Sequence, residues 1–205
     1  MTKKVVLIGD SITDAGRRED PNGIGTGYVK HLYEELFKNN KDWELINKGV
    51  SGDRVTDLEA RWEEDVLKLN PDVLSISIGI NDVWYQIDHP EMEQVTPDQF
   101  EAVYRSLLDK VPASTQLILM EPTIIEEHLG SLGNQGLVEY AEIVRFLAEE
   151  KGAILVQNYA VFMGTLANGN HPPLTTDGVH MTDAGSRLMA DTWKKAAGYL
   201  FKTDK

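Results

Sequence analysis

The chain's 205 residues suit a single domain with a sizeable core, and its 41% apolar and 26% charged content is that of an ordinary globular protein. A formal net charge of -13 leaves no basic face for phosphates, so nucleic acid is excluded as an expected partner. With no cysteine, disulfides and a thiol nucleophile are excluded as well.

Met1-Thr2-Lys3-Lys4 leads at once into an apolar run over residues 5–8, which reads as a buried strand. This opening has neither the longer apolar stretch nor the small-residue cleavage site of a secretory signal. No run approaches the roughly 18 apolar residues of a membrane span, so a cytoplasmic protein without a membrane partner is expected. Gly9 ends the strand and places Ser11 at its carboxyl end. A helix follows over residues 28–37, a strand over 44–46, and then Ser51-Gly52-Asp53. Residues 57–68 read as a helix, with Leu58, Arg61-Trp62, Asp65-Val66 and the following Leu69 at helical spacing. The next strand, 73–78, runs into Gly79-Ile80-Asn81-Asp82, which reads as a turn or helix cap. Thr96-Pro97 starts a helix to residue 110, and a fourth strand covers 117–120. Residues 124–136, with glycines at 130, 133 and 136, show no period and read as a loop that serves as a lid, a substrate wall or a mobile insertion. A helix over 137–150, a strand over 154–156 and a helix over 183–200, started by Thr182, complete the chain. Glu34-Glu35, Glu63-Glu64-Asp65 and Glu126-Glu127 read as solvated helix faces. Alternating strands and helices predict a parallel five-stranded sheet covered on both faces, one three-layer α/β/α domain over residues 1–205.

In such sheets ligands bind at the strands' carboxyl ends. Ser11, Ser51-Gly52-Asp53 and Gly79-Ile80-Asn81-Asp82 follow the first three strands, and Thr176-Asp177-Gly178-Val179-His180 follows the last. Singly, each has a plain structural account: a helix cap, a glycine turn, an Asx turn, a structural histidine. Jointly they supply what acyl transfer through a serine needs. Ser11 requires a base, which His180 can be, and Asp177 can fix the imidazole's tautomer. The oxyanion needs donors, for which Ser11 N–H, Gly52 N–H and the Asn81 carboxamide are candidates. Trp84 and Tyr85 can either contact substrate or pack a helix start. Arg17 and Arg54 read as surface ion pairs, and Asp10 and Asp53 as loop anchors bonded to backbone N–H groups.

Gly9-Asp10-Ser11, Gly52, Asn81 and Asp177-x-x-His180 resemble the four motif blocks of the SGNH (GDSL-type) hydrolases, and they span nearly the whole chain. The resemblance implies a flavodoxin-like fold and hydrolysis of carboxylic esters, thioesters or acetylated sugars without metal or cofactor. It implies Ser11 as nucleophile, Asp177 and His180 as the rest of the triad, and Gly52 and Asn81 completing the oxyanion hole with Ser11. Gly25-Thr26-Gly27-Tyr28-Val29, the segment from Asn47 to Gly52, the segment from Ala60 to Val66 and the segment from Ile78 to Trp84 are similar to the bacterial intracellular acetylxylan esterases. That likeness implies a short-acyl esterase acting on acetylated sugars or xylo-oligosaccharides, and a homo-oligomer. A general esterase, lysophospholipase or thioesterase of the same family is the alternative. Met181 follows His180 where many relatives carry proline, and 124–136 and 174–176 depart from the pattern.

Two readings from other classes stand beside this one. Asp10, Asp53, Asp82 and His180 resemble the donors of a two-metal phosphoesterase, although His31, His89, His128 and His171 lack ligand spacing. A flavodoxin-like binding module without catalysis is the other, and it has no use for a histidine paired with an aspartate.

Overall fold

The structure is a computed structural model that describes residues 2–202; Met1 and residues 203–205, the ends of the expected domain, lie outside the described residues. The first strand, β1, runs Lys3–Gly9, and Val5, Val6, Leu7 and Ile8 are wholly buried. An unbroken apolar run is what a strand needs when helices cover both faces of its sheet. A single turn, α1 (Ser11–Asp14), follows, capped by the Asp10 carboxylate, which accepts the Ile12 N–H at 2.9 Å. Next, α2 (Tyr28–Leu32) passes into a π-helical stretch, Tyr33–Phe37, and leads to β2 (Trp43–Gly49). Then come α3 (Val55–Asp65), β3 (Val73–Ser77) and α4 (Ile80–Asp88). Thr96 caps α5 (Pro97–Asp109) and Pro97 occupies its first turn, as expected; β4 (Gln116–Met120) follows. Ser131 caps α6 (Leu132–Lys151), which ends at Gly152 and leads to β5 (Ile154–Val156). Finally α7 (Asn158–Asn168) and α8 (Asp183–Ala197), the latter capped by Thr182 as expected, close the chain's helical set.

All strand pairs are parallel, in the order β2-β1-β3-β4-β5. Helices α3, α4, α5 and α6 pack among themselves on one face, and α2, α7 and α8 on the other, which is the three-layer arrangement expected. Trp62, Tyr104 and Phe100 are fully buried, as are Trp193, Tyr28 and Phe162. The Trp193 indole N–H donates to Ser75 Oγ at 3.0 Å, satisfying the polar end of a buried aromatic. Among the described residues no helix is long and apolar enough to cross a membrane.

The register aligns the carboxyl ends of the central strands, with Gly9 opposite both Gly49 and Ser77. Every segment that leaves β1, β2 or β3 therefore emerges at one edge. A Cβ on Gly9 would stand 2.2 Å from Ser77 O, and one on Gly49 2.1 Å from Asp14 N. Glycine is required at both places because β1 and β2 there press against the backbones of Ser77 and of Thr13-Asp14, the latter in the turn that Ser11 begins.

Three expectations change. The periodicity predicts none of α1, α4 or α7. Because α7 intervenes, Asp177 and His180 reach the carboxyl edge on the α7–α8 connection and not at a strand exit. The stretch 124–136 is neither free nor wholly a loop: Ile124 and Ile125 are buried, and its last residues are the first turn and a half of α6. Asn134, fully buried, accepts the Ile125 N–H at 2.8 Å and donates to the carbonyls of Glu126 and His128, which pins the segment down.

Candidate active site

The loop that brings His180 to the edge is a narrow hairpin. Thr175 and Met181 form an antiparallel bridge, and the Thr176 N–H donates to His180 O at 2.8 Å. Gly178 turns the tip at φ 96°, a left-handed conformation suited to glycine. Glu126 and Glu127 are not a solvated helix face, because this hairpin recruits them. The Glu126 N–H donates to Gly178 O at 2.7 Å. The Glu127 carboxylate accepts the N–H groups of Leu174 and Thr175 and the Thr175 hydroxyl, at 2.8, 2.6 and 2.8 Å.

Within the hairpin, Asp177 Oδ1 accepts the N–H groups of Val179 and His180, at 3.0 and 2.8 Å. Its Oδ2 lies 2.6 Å from His180 Nδ1. A carboxylate only accepts, so Nδ1 carries the proton and Nε2 is left as an acceptor. Ser11 Oγ lies 3.0 Å from Nε2 and donates to it. Desolvation pulls the Asp177 carboxyl upward, but the His180 side chain and the two backbone N–H groups outweigh it and hold the group below its ordinary value. An ionised Asp177 then favours positive charge on the adjacent ring, which is what proton transfer from Ser11 creates.

The segment 52–55 is held from beneath by one end of α4. The Asn81 carboxamide donates one N–H to Asp53 O at 2.9 Å. Both Asp82 carboxylate oxygens accept the Val55 N–H, at 3.2 and 3.3 Å, and the Tyr85 hydroxyl donates to Gly52 O at 3.1 Å. Gly52 has φ 89°, and a Cβ there would stand 3.1 Å from the Tyr85 hydroxyl. Ser11 N–H and Gly52 N–H have no acceptor among the hydrogen bonds of the described residues. Asn81 retains a second amide hydrogen, so none of the three donors expected for the oxyanion is fully spent.

Arg61, read in the sequence only as part of a helix pattern, ties these segments together. Its guanidinium donates to Gly9 O at 3.0 Å and Lys48 O at 2.8 Å, and to Asp53 and Asp65 at 2.6 and 2.8 Å. Asp53 is therefore anchored by Arg61 and not by a backbone N–H, whereas Asp10 behaves as expected. Arg17 and Arg54 are more than surface ion pairs. Arg17 donates to Gly49 O at 2.6 Å, and Arg54 donates to Glu93 O at 2.8 Å while lying 5.8 Å from the Tyr85 ring. Trp84 meets the His180 ring edge-on at 5.9 Å and lines a cavity of about 190 Å³ with Ile87, Leu132 and Asp177.

The metal-site arrangement does not assemble. Asp10 faces Ile12 N–H, Asp53 faces Arg61, and Asp82 faces Val55 N–H. Among the described residues no group of three or more His, Asp or Glu is placed to hold a metal ion. The buried acids have a different consequence. Burial pushes both Asp10 and Asp82 from 3.8 up to about 7, and the charge of Asp10 adds to the rise at Asp82. Between about pH 4 and 7 the folded state keeps protons that the unfolded chain releases, so stability falls as pH rises through that window. Asp82→Asn is expected to reduce that decline and raise Tm at pH 8, with Asp10 and the likewise raised Asp53 carboxyl still contributing to the slope. Thermal unfolding of both proteins across this pH range checks it; an unchanged slope refutes the assignment to Asp82.

The model of the GDSL-like lipase/acylhydrolase family matches residues 7–188. An acetylxylan esterase of Geobacillus stearothermophilus is 39% identical over 212 residues, covering 96% of this chain and 94% of that protein. The solved structure of Axe2, an acetylxylan esterase from the same organism, superposes with a TM-score of 0.87 at 36% identity, covering 99% of this chain and 97% of that one. LAE5, an alpha/beta hydrolase enzyme from the metagenome of Lake Arreo, Spain, gives 0.86 at 34% identity, covering 98% and 99%. The chain belongs to the GDSL-like lipase/acylhydrolase family, and it is an ester hydrolase.

Proposed function

We propose that the protein is a serine-dependent acetyl esterase that removes acetyl groups from xylo-oligosaccharides, with the whole chain acting as one domain. The observation that carries the mechanism is the continuous relay from Ser11 Oγ through His180 to Asp177, at 3.0 and 2.6 Å. His180 Nε2 takes the serine proton as Oγ attacks the acetyl carbonyl, and Asp177 stabilises the imidazolium. The oxyanion is received by Ser11 N–H, Gly52 N–H and the free Asn81 amide hydrogen. His180 then gives that proton to the sugar oxygen as its bond to the acetyl carbon breaks, leaving the acetyl group on Ser11, and a water activated by His180 repeats the sequence to release acetate. Trp84, edge-on to His180, bounds the reacting centre. Tyr85 spends its hydroxyl on Gly52 O and so serves the oxyanion segment and not the substrate directly. The likeness to Axe2 and to the curated acetylxylan esterase supports the choice of substrate.

The expected result is deacetylation of acetylated xylo-oligosaccharides together with a preference for p-nitrophenyl acetate over longer acyl esters. A screen of both substrate sets checks it. Faster turnover of octanoyl than of acetyl esters refutes the acetyl reading and leaves the relay standing.

A further inference from the structure

Gly25-Thr26-Gly27 stands out in the sequence and has no part in the chemistry above. It is pressed against the backbone that follows Ser11. A Cβ on Gly25 would stand 2.6 Å from Asp14 O, and one on Gly27 would stand 2.8 Å from the Ala15 Cβ. Gly25 also has φ 84°. Between the two glycines Thr26 is exposed and its hydroxyl donates to Ala15 O at 3.0 Å. A Cβ at either glycine would point into residues 12–17, so the two glycines let the segment lie flat against that backbone, a low floor from which Thr26 is exposed.

Two cavities meet at this floor. One, of about 400 Å³, opens at Ser11 and His180 and reaches Thr26 and Asp183. The other, of about 540 Å³, continues from Thr26 to Tyr33, Glu34 and Lys38. Both fall in the size range of ligand pockets. The first is lined by His180 and by neither Gly52 nor Asn81. A leaving alcohol takes its proton from His180 Nε2, while the oxyanion faces Gly52 and Asn81. The alcohol portion of the ester therefore belongs on the Thr26 side.

We propose that the two cavities are one trough that holds the leaving group as a chain of sugar residues, running from Ser11 over Gly25-Thr26-Gly27 to Tyr33. This rests on the acetyl-sugar reading above. The far cavity has the chemistry a carbohydrate needs. Tyr33 is half-buried, with part of its ring open to a sugar face, and exposed Lys30 and Glu34 supply a donor and an acceptor for hydroxyls. Asp20 is already occupied by the N–H groups of Asn22, Ile24 and Gly25, so it shapes the rim. The π-helical winding begins at Tyr33, a local departure often found where a helix serves a ligand.

The test compares kcat/KM for p-nitrophenyl acetate with that for acetylated xylose and acetylated xylo-oligosaccharides of increasing length. The parent should gain with each sugar until the trough is filled. Tyr33→Ala should lower the ratio of long-oligosaccharide to p-nitrophenyl acetate kcat/KM by about tenfold, through KM. Thr26→Trp, at an exposed position, should lower the same ratio by raising the floor, which covers the case in which Tyr33→Ala fails to fold. Activity on acetylated sugars with no gain in length, or an unchanged ratio in Thr26→Trp, overturns the trough alone. Hydrolysis of p-nitrophenyl acetate with none of any acetylated sugar overturns the substrate reading on which the trough rests.

Discussion

Replacing Ser11 with alanine is expected to lower kcat for p-nitrophenyl acetate by roughly six orders of magnitude, the loss seen when such a nucleophile is removed from its unit. Among the described residues Ser11 is the side chain that hydrogen-bonds to His180 Nε2, and there is no cysteine to substitute for the serine. The fold should be untouched. The side chain is only partly buried, its hydrogen bond is to His180, and Asp10 continues to cap α1 through Ile12. Residual rate from the oxyanion donors and substrate binding should remain, about three orders of magnitude above the reaction in water. Steady-state kinetics with matched Tm values checks it. A folded variant within tenfold of the parent refutes the nucleophile assignment. A sulfonyl fluoride provides a second readout, since it should label the parent at Ser11 and leave the variant unmodified.

The sequence allowed this assignment to be made because the decisive residues lie where local rules are strong. Five short runs predict the five strands, and a glycine follows or ends each of the first three, so the places of Ser11, Gly52 and Asn81 are readable from order alone, whereas Asp177 and His180 follow α7 and not the last strand. What escaped has local causes. Ile80, Val83, Trp84 and Ile87 do stand at helical spacing, but α4 starts at Gly79 with φ 119° and no capping side chain, and Asn81-Asp82 mimics a turn. The start of α6 was hidden because close packing puts Gly133 and Gly136 on the inward face. A Cβ there would stand 2.3 Å from Ile125 and 2.8 Å from Val83. In α7, Tyr159, Phe162, Met163 and Leu166 carry the period, and Gly169 ends it. The role of Arg61 could not be read at all. Its four acceptors lie up to 52 positions from it along the chain, a relation that only the folded sheet creates.

Asn81→Ala is expected to lower kcat by two to three orders of magnitude with little change in KM, because the free amide hydrogen strengthens its bond chiefly as the oxyanion forms. Losing one such donor typically costs roughly 2.7–4 kcal/mol in the transition state. The structure adds a second effect that must be separated from the first. The same carboxamide donates to Asp53 O, so its removal leaves a buried carbonyl unpaired at about 1–3 kcal/mol of stability. A loose segment 52–55 would also misplace Gly52 N–H and depress kcat without any direct role for Asn81. Tyr85→Phe distinguishes the two accounts, since it removes an anchor from the same segment, at Gly52 O, and no oxyanion donor. If Asn81 acts as a donor, Asn81→Ala should lose far more kcat than Tyr85→Phe at comparable loss of Tm. Equal kcat losses in the two variants would reduce Asn81 to an anchor, and the oxyanion would then rest on the backbone N–H groups of Ser11 and Gly52.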